Sequence, residues 1–451
     1  MDQRESHGDE GSGKRNQISG DSINRLSDDI LCTIISLLPT KDGGRTPAIS
    51  PRWRNLWRSA PLNLEVRSPA NSHSPSSVLP AAVSRIISNH DGPARRFSLR
   101  CFPDDLDADA DSWFHSRALA NIQELHITYN NYRRLSGYTQ DRNLLPPSAL
   151  RSPALLVVEI SFCDFPPSLP SMDLPLLKQL SLHFVSISGD VFHGILSACR
   201  ALESLYMSGI RATGSLRVSS PTLRSIGFRN SDGEKPDLVI EDAPRLVRVL
   251  LPYSQSYDDC ATICVVRAPR LEVLGPFLPV VSKILVTQGI SPLSSANPMR
   301  TVKILCLRSS GYELDGVLNI LRWFPYLEKL YIIFGRHTEM NKKNEPQYDP
   351  QHQIECFQTH LKTVVFKTFI GFEKQVNFAR FFILYAKVLK KIEFEVHGEC
   401  NTVSVASYQS LLQVEKKASQ DAQVEFRSKY HHTGYGKHVH DLSAVDPFGQ
   451  P

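Results

Sequence analysis

One phrase recurs through the middle of this chain. It is a proline, a spacer residue, then apolar residues at the first, fourth and sixth positions of a short run. It reads SPALLVVEI at 152–160, LPLLKQLSL at 174–182, SPTLRSIGF at 220–228, APRLVRVLL at 243–251, APRLEVLGP at 268–276 and FPYLEKLYI at 324–332. CRALESLYM at 199–207 keeps the pattern without the proline, and IQELHI at 122–127 is a shorter form. Pro153, Pro175, Pro221, Pro244, Pro269 and Pro325 mark a common register. A single strand of this kind cannot cover its own apolar side. Stacking neighbours as a parallel sheet buries a continuous core and bends the stack into an arc. An ordinary parallel α/β sheet would alternate too, but it would not repeat the proline.

Adjacent units recur at about 20–30 residues, a spacing similar to that of leucine-rich repeats. The predicted fold class is therefore α/β, with a leucine-rich-repeat solenoid over residues 83–335. VFHGILSACR at 191–200 reads as a helix behind its strand. The later units lack clear helices, so their backs are expected to be strand-like or irregular. An arc of repeats has no obligatory pocket, and it offers an extended face and ridge loops suited to gripping a protein.

Residues 23–66 form a compact helical segment. Ser27 is placed to cap a first helix, with Asp28 and Asp29 at the positive end of its dipole. Ile30, Leu31, Ile34, Ile35, Leu37 and Leu38 give that helix an apolar surface wider than one stripe, and Pro39 stops it. A later helix is expected from Ser50 as cap and Pro51 in the first turn, followed by Trp53, Leu56 and Trp57 at helical spacing. A unit this short cannot bury two tryptophans and so many aliphatics internally. Part of its surface must meet another protein or the rest of the chain, and composition alone leaves both readings open.

The stretch INRLSDDILCTIISLLPTKDGGRTPAISPRWRNLWRSAPLNLEV resembles an F-box. The matching features are Leu26 with Asp28, Leu38 to Lys41, Arg45 with Thr46, Ser50, and Arg52 to Trp57. The resemblance implies a three-helix unit that docks a Skp-type adaptor and, through it, a cullin. It also implies that Leu26, Ile30, Leu31, Ile34, Leu38, Pro39, Trp53, Leu56 and Trp57 form or support the docking surface. Gly43, Gly44 and Pro47 depart from the family pattern. Each glycine is expected to weaken the second helix by roughly 1 kcal/mol relative to alanine, and the proline to break it.

HLKTVVFKTFIGFEKQVNFARFFILYAKVLKKIEFEV at 360–396 resembles the FBD module that closes many plant F-box and leucine-rich-repeat proteins. Val376, Ala379, Phe382, Ile383 and Ala386 give its helix an apolar face. Its expected role is to cover the open end of the repeat stack. The full order reads as a disordered tail at 1–20, the F-box at 21–66, a linker at 67–82, the repeats at 83–335, a polar loop at 336–353, the FBD-like cap at 354–428 and a polar tail at 429–451.

The remaining signals are weak. GDEGSGKR at 8–15 has glycine and lysine spacing like a phosphate loop, but Arg15 stands where a magnesium-binding hydroxyl belongs and no strand precedes it. Asp105, Asp107, Asp109 and Asp111 alternate like calcium ligands, yet Ala110 and Ser116 occupy the glycine and glutamate positions. His431, His432, His438 and His440 with Asp441 fall in a polar tail that reads as disordered. The nine cysteines are scattered; Cys163, Cys199, Cys264 and Cys306 read as buried thiols of a reducing compartment, and Cys260 with Cys264 is a lone pair, too few ligands for zinc. A net charge of +5 over 451 residues is not concentrated on a face that would read nucleic acid. There is no run of about 18 apolar residues to span a membrane. No catalytic constellation, metal site or cofactor site is expected, and residence is expected in the nucleus or cytoplasm. The expected function is substrate recognition for a Skp-cullin-F-box ubiquitin ligase, with a protein substrate on the repeats. A ligase-independent repeat module with a degenerate F-box, or an enzyme built on the repeats, are the alternatives. The enzyme would need a deep pocket with convergent polar groups.

Overall fold

The computed structural model describes residues 23–67, 79–101, 110–129, 144–229, 237–251, 263–278, 284–288, 291–292, 298–335, 354–396, 402–428 and 435–449. The expected tail at 1–20, the loop at 336–353, Cys260, Asp105, Asp107, Asp109, His431 and His432 lie outside the described residues.

The recurring proline has a mechanical role. The amides of Leu155, Leu177, Leu246, Leu271 and Leu327 each close a turn on the carbonyl three residues earlier, at 3.1–3.4 Å. Proline holds the second position of each turn. Its fixed φ suits that place and its missing N–H is not needed there. The turn aims the first leucine of each unit inward, and the strand starts two residues later.

Among the described residues, fourteen strands then form one sheet whose strand order follows the chain. They are Leu62–Arg67, Ala94–Cys101, Glu124–Tyr129, Val157–Ser161, Gln179–His183, Ser204–Ser208, Ser225–Arg229, Arg248–Leu250, Val273–Phe277, Ile304–Ser309, Lys329–Phe334, Thr363–Phe369, Lys391–Val396 and Gln423–Ser428. Every neighbouring pair is parallel. Register places like beside like: Leu180 pairs with Val158 on one side and Leu205 on the other. Leucines of successive units thus stack into one buried core. The unit at 301–310 belongs to the series through Val302, Leu305 and Leu307, all buried. It lacks the register of the recurring phrase, because Pro298 stands four residues before Val302, not two.

The backs of the units differ, though not wholly as expected: a later unit does carry a helix, Leu314–Leu321, whose Leu314, Val317, Leu318 and Leu321 join the leucine core. The helix Gly189–Ala198 lies behind its strand, with the Ser188 hydroxyl accepting from the Val191 amide at 3.3 Å. Further on, Leu216–Ser219, Leu238–Asp242, Ile263–Val265 and Ile284–Gln288 form a second parallel row in place of helices.

Three structural findings revise the sequence reading. The strand Leu62–Arg67, expected as the end of the helical unit, is the first strand of the long sheet. The C-terminal α/β unit does not cover an edge; its strands Thr363–Phe369, Lys391–Val396 and Gln423–Ser428 continue the same sheet. The final edge is guarded instead by charge, with Lys391, Glu393, Glu425 and Arg427 cross-linked by ion pairs. The helix Glu373–Tyr385 covers this region, its Phe378 and Phe382 packing on Phe334, Phe357 and Phe366, with Phe394 stacked on Phe366. Third, the described part of the tail, 435–449, is packed against the sheet and is not a disordered extension.

Among the described residues, Cys101, Cys163, Cys199, Cys306 and Cys356 are buried free thiols and Cys264 is half-buried. Burial pushes the Cys199 thiol up to about 12, so it stays protonated and unreactive.

Candidate functional site

Two surfaces stand out, and the first is the N-terminal helical unit. The helix Asp28–Leu37 starts at Ser27, whose hydroxyl accepts from the Ile30 amide at 3.4 Å. A short helix, Thr40–Gly43, and a 3₁₀ turn, Thr46–Ala48, follow before the helix Pro51–Ser59. The expected second helix is thus broken where Gly44 and Pro47 interrupt it. Ser50 does sit at the N-cap, but its side chain makes no capping hydrogen bond.

Leu31, Ile35, Trp53, Leu56 and Ala60 form the interior of this unit. Arg52 ties its two ends together, donating from Nε to Asp28 at 2.8 Å and from Nη2 to the Leu26 carbonyl at 2.8 Å. Trp57 lies over the second helix and meets His90 edge-on, with ring centroids 5.3 Å apart. A Cβ on Gly43 would stand 2.4 Å from the Trp57 ring. Gly43 is therefore required by a close approach, which the helix-propensity argument missed. The unit is also fastened to the sheet. Thr40 donates to the Asn63 carbonyl, the Asn63 amide donates to the Ser36 carbonyl, and the Glu65 amide donates to the Thr40 hydroxyl.

The residues expected to dock an adaptor divide by exposure. Leu31, Trp53 and Leu56 are buried, so they can only hold the surface from behind. Leu26, Ile34, Leu38, Pro39 and Trp57 are half-buried. Ile30 is 48% exposed, and the unselected Leu37 is 67%, Ile49 55% and Ile23 46% exposed. Ile30, Ile34 and Leu37 share one helix face by their i, i+4, i+7 spacing, while Leu31 and Ile35 share the other. The first helix carries two apolar stripes: Leu31 and Ile35 face in, Ile30 and Leu37 face water, and half-buried Ile34 lies at the boundary, packed against the interior. The excess width of its apolar surface was the signal for the second stripe.

The second surface is the sheet face opposite the leucine core. It carries Ser181, Ser204, Tyr206, Ser225, Arg248, Lys329, Tyr331 and Lys367, and residues 435–449 lie across it. The His440 ring sits between two hydroxyls, Nε2 at 2.6 Å from Ser181 and Nδ1 at 2.7 Å from Ser204. Arg248 donates to the carbonyls of Ala444, at 2.8 Å, and Asp441. Asp446 accepts from Lys329 at 2.7 Å and Tyr331 at 2.8 Å. Phe448 meets Tyr331 edge-on at 5.7 Å, and its carbonyl accepts from Lys367 at 2.7 Å. Burial drives the His440 pKa down to about 4, helped by nearby His183 and Arg248 and opposed by Glu159. Burial alone would raise the Asp446 carboxyl; the Lys329 and Tyr331 bonds outweigh it and hold it below the usual value. Among the described residues, no group of three or more His, Cys, Asp or Glu side chains could hold a metal. No helix there is long and apolar enough to cross a membrane.

Comparison with known families follows the same divisions. Residues 23–65 match the F-box domain, 110–332 match the family described as FBD-associated F-box protein At5g56370, LRR repeats, and 349–394 match FBD. The chain belongs to the F-box/FBD/LRR-repeat family. Among Arabidopsis thaliana relatives, FBD-associated F-box protein At4g13985 is 30% identical over 245 residues, covering 51% of this chain and 52% of that protein. F-box/FBD/LRR-repeat protein At1g13570 is 26% identical over 238 residues, covering 51% and 53%. A third, At2g05300, whose name carries the same three elements, is 25% identical over 421 residues, covering 84% and 92%. Apart from At2g05300, the chain spans about half the length of these relatives. In family terms, the first surface belongs to the F-box. The second belongs to the repeats and the FBD strands together, since Lys367 lies within the FBD match. The tail at 435–449 lies beyond all three matches.

Proposed function

We propose that this chain is the substrate-recognition subunit of a Skp-cullin-F-box type ubiquitin ligase, acting in the nucleus or cytoplasm. The F-box would dock the Skp-type adaptor, and through it a cullin, while the repeats hold a protein substrate. The observation that carries this reading is the water-facing pair Ile30 and Leu37 on one side of the first helix, with Ile49 also exposed in the same unit. A helix with its inner face already buried has no internal use for a second apolar face, and such patches mark protein contacts. The hydrogen bonds that join Thr40 and Ser36 to Asn63 of the first strand support a fixed geometry between adaptor and substrate. The contribution to transfer would be proximity, holding a substrate lysine near a donor carried by other subunits. No chemical step is assigned to this chain.

The test is the affinity of the full-length chain for a purified Skp-type adaptor by calorimetry, with Ile30→Asp and Leu37→Asp. Wild-type binding lost in both variants, with unchanged circular dichroism, supports the reading. A second reading, a ligase-independent repeat module, draws on the interrupted second helix. Absence of wild-type binding by a folded chain would favour it.

A further inference from the structure

The tail's contacts have the character of a bound peptide. Arg248 and Lys367 recognise main-chain carbonyls, which any peptide presents. Lys329, Tyr331 and the Phe448 contact instead read side chains: a carboxylate and, two residues on, an aromatic ring. Gly227 adds a shape requirement, because a Cβ there would stand 2.4 Å from the Val439 side chain. The leucine core lies on the other side of the sheet and does not depend on this segment. If it left, the charged heads of Arg248 and Lys329 would meet water and Lys367 would keep its ion pair with Glu395; what its departure exposes is the apolar patch of Leu250, Val273, Tyr331, Ile333 and Val365 on which Val439 and Phe448 pack, a surface that a replacement peptide would cover.

We propose that this face is a docking groove for a turn-forming peptide bearing an acidic residue followed two positions later by an aromatic one, and that residues 435–449 occupy it as an intramolecular competitor. A partner with the same acidic-x-aromatic pattern takes the Lys329, Tyr331 and Lys367 subsite by displacing Asp446 and Phe448. The competitor lowers the apparent affinity by the fraction of molecules in which it is docked, so only partners with a matching pattern gain entry. That such a partner is the ligase substrate rests on the function proposed above. Peptide docking is measured without adaptor, so the two ideas can fail separately.

The probe is a fluorescent peptide of residues 435–451, YGKHVHDLSAVDPFGQP, added to full-length chain and followed by anisotropy. Wild type should bind it weakly. Asp446→Ala/Phe448→Ala chain should bind it about tenfold or more tightly, because its own competitor is weakened. Adding Lys329→Ala to that variant should remove the gain, as should a peptide with both Asp and Phe replaced by alanine. Hydrogen exchange reports whether residues 435–449 have left, with the strand Ser204–Ser208 as the folding control. If exchange shows the segment released but the peptide still does not bind, the groove is refuted. If the segment stays protected even after His440→Ala is added, it is a permanent part of the fold and the competitor idea is refuted. Peptide docking by a chain that binds no adaptor would leave the groove standing and overturn the ligase reading instead.

Discussion

Replacing Gly43 by alanine sets two physical effects against each other. Helix propensity favours alanine by about 1 kcal/mol, so a sequence argument expects the variant to stabilise the second helix. The structure opposes this. The new Cβ would stand 2.4 Å from the Trp57 ring, more than 1 Å inside the ordinary contact range of about 3.5–4.0 Å. The ring cannot swing away cheaply, because it is a rigid bicycle with His90 against it. Overpacking of this kind costs about 1–3 kcal/mol, so the net effect is a destabilisation of up to about 2 kcal/mol. Gly44 is the internal control: it is exposed, and the nearest atom to its new Cβ is the Thr40 carbonyl oxygen at 3.2 Å. Hydrogen exchange of the Asp28–Leu37 amides reads local opening directly. Exchange should quicken by about fivefold in Gly43→Ala, a change of about 1 kcal/mol, and barely in Gly44→Ala. Trp57→Leu in the Gly43→Ala background should recover part of the loss, since neighbouring changes couple. A Gly43→Ala chain as protected as wild type, or more so, would refute the packing argument and restore the propensity one.

Other expectations follow from the same coordinates. Leu31→Asp should unfold the F-box helices, because it places a charge in a closed apolar interior; Leu37→Asp should leave their circular dichroism intact. Phe382→Ala should cost about 3–5 kcal/mol in urea unfolding, since its ring packs with Phe357, Phe366, Phe378 and Phe381. A loss under about 1 kcal/mol would mean that cluster can collapse into the space. Docking of 435–449 should be pH-dependent through His440, whose pKa falls from 6.5 to about 4 on docking. The undocked histidine takes up a proton that the docked one refuses, so docking is full above about pH 6.5 and weakens as pH falls towards 4. At pH 5 the loss should be roughly 1–2 kcal/mol after discounting for partial exposure. Glu159, His183 and Arg248 also face this ring, so His440→Gln is the control that should flatten most of the slope. Equal protection of 435–449 at pH 7.5 and pH 5, after correction for intrinsic exchange, would contradict this.

Much of this protein is written locally. A proline two residues before a leucine is enough to set the turn, the inward leucine and the parallel register of a unit. The cap at Ser27 and the stop at Pro39 are equally local. Other decisions depended on what lies across space. Gly43 looks like a weakness in its own helix until Trp57 is placed over it. Leu31 and Ile30 are adjacent aliphatics, yet one is interior and the other faces water, and only the packing of Trp53 and Leu56 assigns them. His438 and His440 carry no periodicity, and a local pattern reads them as disordered. Their segment is ordered by Ser181, Ser204, Arg248 and Lys329, residues roughly 115 to 260 positions earlier in the chain. Such contacts leave no trace in a local pattern, because each partner is an ordinary polar residue on the open face of its own strand. Local pattern alone sets the repeating unit, its strand direction and the order of the three family regions. The tertiary structure decided which apolar stripe stays exposed, where the sheet ends and what lies across its face, because those depend on surfaces that exist only once the strands have stacked.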